Sequence, residues 1–276
     1  MPLAHLAGLL VLCGVLLAPP SAARPSEDVL PRGGQTARAL AESWFHQHQG
    51  FDSVEAYEAQ VGSVRVEFGI ARKWVDGVAK LLLDFNKPAV LDDLMLLFLQ
   101  QRDRSDDLFV YLSPRLFPPT VSRRIRRLHV RRLDLGLPAA ARFVQIGDFR
   151  PFLPGELRYT RSSDIEIEGE ACRVIESRPV DAGRFSFDRL ELALSRQTGV
   201  ALRTRHYRNE QLIREVYVSP KDVAEFDGHW LPVRQQIRVP GQPSLDLTLK
   251  NVDVGPPLPD RLFLPRNLIA QKFPAF

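Results

Sequence analysis

Apolar and polar residues alternate along much of this chain. The stretches Asp164-Ile165-Glu166-Ile167-Glu168, Leu190-Glu191-Leu192-Ala193-Leu194 and Leu245-Asp246-Leu247-Thr248-Leu249 each have a period of two. That period buries one face of a strand and wets the other. The same pattern predicts strands at 64–74 and 80–85, joined by Asp76-Gly77, a strong two-residue hairpin signal. Another strand is expected at 108–112, ahead of Ser113-Pro114. From residue 158 a meander is expected through 165–167, 172–175, 185–194, 200–207, 212–218, 231–239 and 245–254. Its turns are marked by Gly169, Gly183, Gly199, Asn209, Asp227-Gly228 and Pro240-Gly241. The run 91–101 is continuously apolar, so periodicity leaves it open between a buried helix and a strand covered on both faces. One helix is predicted at 36–48, capped by Thr36, with Ala37, Leu40, Ala41 and Trp44 on one face. The fold class expected is mainly β (α+β), built on a large antiparallel sheet.

Ahead of these elements lies an apolar run, residues 6–18, without formal charge, followed by Pro19-Pro20 and the small residues Ser21-Ala22-Ala23. It is too short to span a membrane and fits a cleavable export signal over 1–23. Two alternatives stand beside that reading. Lipidation at Cys13 is disfavoured because Leu12, just before it, is not small; a hydrophobic N-terminal helix that stays attached is the other. Residues 24–35 are rich in Pro, Gly and charge and read as a flexible mature N-terminus. With no low-complexity linker beyond, 36–276 is expected to form a single domain. Export leaves Cys172 alone, and its strand-like surroundings make it a small buried hydrophobe rather than a disulfide partner.

The 276-residue chain carries a formal charge of +4, mostly through arginine. A pI near 9.3 suits an anionic surface or an acidic partner, without implying nucleic acid. The densest basic run holds Arg123, Arg124, Arg126, Arg127 and Arg131. It reads as an edge strand whose charge discourages edge-to-edge pairing, or as a docking patch for a partner or anionic surface. Chemistry is sparse. His206 and His229 lack the companion ligands a zinc site needs. Ser195 and Ser219 lack a nucleophile elbow. Asp92-Asp93 and Asp106-Asp107 read as turn residues. No Gly-rich phosphate loop is present. The chain is not expected to be an enzyme, and no metal or cofactor is expected.

The order of segments then resembles a known family. Arg72-Lys73-Trp74-Val75-Asp76-Gly77 is followed by residues 107–114, then by 169–179, His206-Tyr207-Arg208-Asn209, Asp227-Gly228-His229-Trp230-Leu231-Pro232 and Leu258-Pro259-Asp260-Arg261-Leu262-Phe263. This is similar to the LolA-like, outer-membrane lipoprotein-sorting proteins of Gram-negative bacteria. The resemblance implies a strongly curved antiparallel sheet forming an unclosed β-barrel, with helices covering the concave face. It also implies a periplasmic location and a hollow that binds lipid or lipoprotein acyl chains. Phe85, Phe98, Phe109, Tyr111 and Phe143 are candidates for the lining of that hollow, or for ordinary core. The partners implied are acyl chains and, beyond them, an inner-membrane transporter or outer-membrane receptor, with transient membrane contact by a monomer. An alternative on the same fold is an envelope-stress sensor of the RseB type, acting by protein–protein contact.

Overall fold

The computed structural model describes residues 36–89, 91–92, 94–102, 104–111, 125–130, 147 and 149–268. Its helix α1 spans Ala37–His48, and Thr36 caps it: the Thr36 side-chain oxygen accepts the Ala39 N–H at 3.0 Å. Ala37, Leu40, Ala41 and Phe45 are its buried face. Loss of this cap by Thr36→Ala is expected to cost about 1 kcal/mol, read as a lower urea midpoint.

The front half contains β1 (Ser53–Val61), β2 (Val64–Val75), β3 (Val78–Lys87), β4 (Leu94–Leu99), β5 (Asp106–Tyr111) and β6 (Ile125–Val130). The back half contains β7 (Leu157–Arg161), β8 (Ile165–Ile167), β9 (Glu170–Pro179), β10 (Arg189–Ser195), β11 (Ala201–Arg208) and β12 (Gln211–Tyr217). The chain then makes β13 (Val223–Phe226), β14 (His229–Pro232), β15 (Arg234–Arg238) and β16 (Leu245–Val254). Among the described residues, fourteen strands form one antiparallel sheet in the order β6-β5-β4-β3-β2-β1-β16-β15-β12-β11-β10-β9-β7, with β8 beside β9; β13 and β14 pair separately. The sheet does not close on itself.

The β2–β3 hairpin forms where Asp76-Gly77 predicts it. Both residues take positive φ, 50° and 71°, as a tight turn matching strand twist requires. The open 91–101 question resolves as strand β4, every residue of which is buried except Leu99. Leu96 and Phe98 face one cluster while Met95 and Leu97 face another, so the run is apolar because both faces are covered. Two expected strands are shorter than their pattern. The 231–239 run breaks at Val233, after Pro232, which cannot donate to a ladder. In 185–194 the strand begins only at Arg189, while Phe185 and Phe187 turn into the core.

The sheet bends back on itself. Asp106 lies on the second strand from one end, and Arg184 follows β9, the second from the other. In a flat sheet these strands would sit about 48 Å apart at roughly 4.8 Å per strand. Yet Arg184 Nη2 donates to Asp106 Oδ1 at 2.8 Å. The inner face collects the main core, from Val66, Phe68 and Ile70 to Leu190 and Leu192, with α1 against it. On the other face, Leu258, Leu262, Phe263 and Leu268 cover the front strands. The β13–β14 hairpin contributes Val223 and Trp230 to a third cluster over the back strands.

Candidate functional site

A hollow of about 170 Å³ lies on the inner face, between β1–β2 on one side and β11, β12, β15 and β16 on the other. Two pieces of chain border it. One is the end of α1, through Trp44, His48 and Gln49. The other is the strap 149–153, whose Phe149 packs 5.8 Å from Tyr57 and 5.4 Å from Phe68. Phe152 sits 5.8 Å from both Phe185 and Phe187.

Polar contacts pin both pieces. Gln100, itself buried, accepts the Ala79 N–H and donates to the Pro151 carbonyl at 3.0 Å. Arg150 is fully buried and donates to Asp106 at 2.8 Å and to both oxygens of Glu156 at 2.7 and 2.6 Å. Arg184 bridges the same two carboxylates. At the helix end, a ring nitrogen of His48 hydrogen-bonds the Trp230 carbonyl at 2.6 Å, and His229 reaches the Gln47 carbonyl at 2.9 Å. Burial pushes the His48 pKa down to about 4.

The wall of the hollow is mixed. Its apolar part includes Tyr57, Phe149, Leu192, Val216, Ile237 and Leu247; its polar part includes Glu55, Arg72, Thr204, His206 and Arg214. Glu55 is buried and accepts from the Ser53 hydroxyl at 2.5 Å and the Tyr57 hydroxyl at 2.7 Å. Burial first, and then Glu55, hold the Tyr57 hydroxyl far above its ordinary pKa. His206 stands beside Phe187, ring centroids 4.9 Å apart. Burial, and secondarily Arg214, push its pKa down to about 3, so it is neutral.

The aromatic candidates fall elsewhere. Phe85 and Phe98 are 0% exposed and fill the inner-face core beside Phe68 without reaching the hollow. Phe109 and Tyr111 alternate onto the opposite face, packing with Met95 and Leu97. Phe143 lies outside the described residues. Of the basic run, Arg123, Arg124 and Arg131 also lie outside them. Arg126 and Arg127 are exposed on β6, at one end of the sheet. The Arg127 guanidinium forks onto Asp107 at 3.0 and 3.1 Å and lies 5.8 Å from the Phe109 ring centre. Asp106 and Asp107 are not turn residues: they open β5, are 1% and 3% exposed, and hold arginines. Among the described residues no group of three or more His, Cys, Asp or Glu side chains is placed to hold a metal ion. Cys172 is buried. The polar wall was missed because charge on a strand ordinarily means solvent. The signal was parity: Arg72 continues the register of Val66, Phe68 and Ile70.

This architecture is the LolA-like fold. A solved domain from Vibrio parahaemolyticus, provisionally called an outer membrane lipoprotein-sorting protein, superposes with a TM-score of 0.71 at 17% identity, covering 84% of this chain and 97% of that one. A DUF1329 family protein from Desulfovibrio piger gives 0.70 at 18% identity, over 84% and 97%. A LolA superfamily protein from Nitrosomonas europaea gives 0.63 at 18%, over 84% and 98%. A family model described as "Uncharacterized protein" matches residues 77–270, and the chain belongs to that family, which falls in the DUF1329 group. No curated protein matches the chain.

Proposed function

We propose that this protein is an exported, periplasmic binder of acyl chains, acting in outer-membrane lipoprotein sorting or lipid transport. The observation that carries this reading is the hollow on the inner face of the unclosed sheet, bordered by α1 and the strap. The fold it shares with the Vibrio domain supports the same reading. Each methylene taken from water into such a wall gains about 0.8 kcal/mol, so binding and release suffice and no reaction is required.

Size sets the terms of binding. A cavity of roughly 150 Å³ accepts a benzene-sized guest, and this hollow is about 170 Å³. It admits a short chain as it stands; a long one requires the strap to yield. Val216 lines the hollow and is half-buried, so Val216→Phe fills the space from the wall. The expected result is at least a tenfold loss of affinity for a fluorescent fatty acid, with the β circular dichroism retained. Protein purified from its host should also carry lipid, detected by mass spectrometry of an organic extract. Wild-type protein that brings no lipid and ignores the fluorescent probe overturns this function.

A further inference from the structure

Two polar atoms in residues that line the hollow are left over. Arg72 sits two residues beyond Ile70 on β2, on the inward face, and is 7% exposed. It lines the hollow, and its Nε is buried with no hydrogen-bond partner among the described residues. Glu55, the nearby carboxylate, is served by the hydroxyls of Ser53 and Tyr57. Arg72 Nη2 stands 3.6 Å from it, too far for a good hydrogen bond. Gln49 lines the same hollow, just past the end of α1. Its Oε1 is likewise buried with no partner among the described residues. The two residues border one stretch of wall. The Gln49 carbonyl accepts the Trp74 indole N–H at 2.8 Å, and Trp74 is the next inward residue on β2 after Arg72.

One leftover atom donates and the other accepts. Guanidinium N–H groups only donate, and a side-chain amide oxygen only accepts. A buried polar group left unmade carries its full desolvation penalty, so a guest that meets both atoms gains at each. Guests divide on this point. A methyl end meets neither atom. An ether or ester oxygen accepts from Arg72 and offers nothing to Gln49. A carboxylate, too, is acceptor only. A hydroxyl or a carboxamide does both. The choice follows from hydrogen-bond direction, whatever the charge of the wall.

We propose that the hollow takes an amphiphile whose inner end is an uncharged hydroxyl or carboxamide. That end accepts from Arg72 Nε and donates to Gln49 Oε1, and the apolar body lies along Phe149, Leu192 and Ile237. This rests on the acyl-binding reading and specifies it: the chain enters polar end first, and that end carries a hydrogen-bond donor. Gln49 is the specificity residue, because it separates a donor-bearing end from an ester or a free acid.

The test titrates the full protein at neutral pH with 1-hexanol, methyl pentyl ether and hexanoate, following tryptophan fluorescence and calorimetric heat. Hexanol is expected to bind about fivefold more tightly than either of the others, the net scale of one neutral hydrogen bond. Gln49→Met keeps the side chain's length and is expected to abolish the preference of hexanol over the ether. Glu55→Gln/Arg72→Met removes the donor without leaving Glu55 as an unpaired buried charge, and is expected to weaken hexanol and ether alike. If wild-type protein binds the ether as well as hexanol, or hexanoate more tightly, or if neither variant changes these affinities, the donor-bearing end is refuted while acyl binding stands. If none of the three guests binds, the same inference falls where the fluorescent fatty acid still binds. Where that probe is ignored too, the acyl-binding reading itself falls.

Discussion

Arg150→Met lowers the stability of this protein by about 3–5 kcal/mol, the usual cost of removing one partner from a buried ion pair. The guanidinium is 0% exposed and makes four hydrogen bonds: one to Asp106, two to Glu156 and one to the Pro151 carbonyl. With it gone, Asp106 and Glu156 share Arg184 alone, and the site holds a surplus negative charge out of water. The loss is larger than that of a void, because an unpaired buried charge costs more than missing methylenes. The companion variant decides the mechanism. Arg150→Met with Glu156→Gln leaves Asp106 and Arg184 as a balanced pair, so it should recover much of the loss. Urea unfolding measures both. A single-variant cost below 1 kcal/mol, or a double variant no better than the single, defeats this account of the strap.

That network also shows what a one-dimensional reading can and cannot reach. The hairpin at Asp76-Gly77 was legible because both its turn chemistry and its flanking alternation are local. Strand β1 was not. Its inward positions are Ser53, Glu55, Tyr57, Ala59 and Val61, so two polar residues sit where the alternation should be apolar. Glu55 belongs to the polar wall of the hollow, and Ser53 donates its hydroxyl to it. Phe109 and Tyr111 were left open between lining and core, because the run 108–111 is apolar on both faces and parity alone does not say which face is inner; they pack with Met95 and Leu97. Asp106 read as a turn residue because its partners, Arg150 and Arg184, lie 44 and 78 residues away in sequence. Only the bend of the sheet brings them together. Local rules thus recovered elements, while the site is made by closure between distant strands and by charge on inward positions.

Acidification from pH 7.5 to pH 5 destabilises the protein by about 4 kcal/mol, through two histidines. His48 has a folded pKa of about 4, because it is buried between the helix end and β14. His206 has a folded pKa of about 3, because it is buried at the hollow beside Arg214. Unfolded, each titrates near 6.5. Between that value and the folded ones, the unfolded chain binds protons that the native state refuses. Stability therefore rises with pH across this window and falls on acidification. At pH 5 each group lies about 1.5 units below its unfolded pKa, roughly 2 kcal/mol apiece at 1.36 kcal/mol per unit. The carboxylates with lowered pKa, Glu67, Glu168 and Asp260, act in the opposite window: their contribution is present above their unfolded pKa and fades only below about pH 4.5. The interval from pH 6.5 to 5 thus isolates the histidines. Urea midpoints measured across it should slope downward for the wild type and lie nearly flat for His48→Gln/His206→Gln. A wild-type midpoint that does not move over that interval would show that both rings remain accessible to protons in the native state, contrary to their placement against Trp230 and in the wall of the hollow.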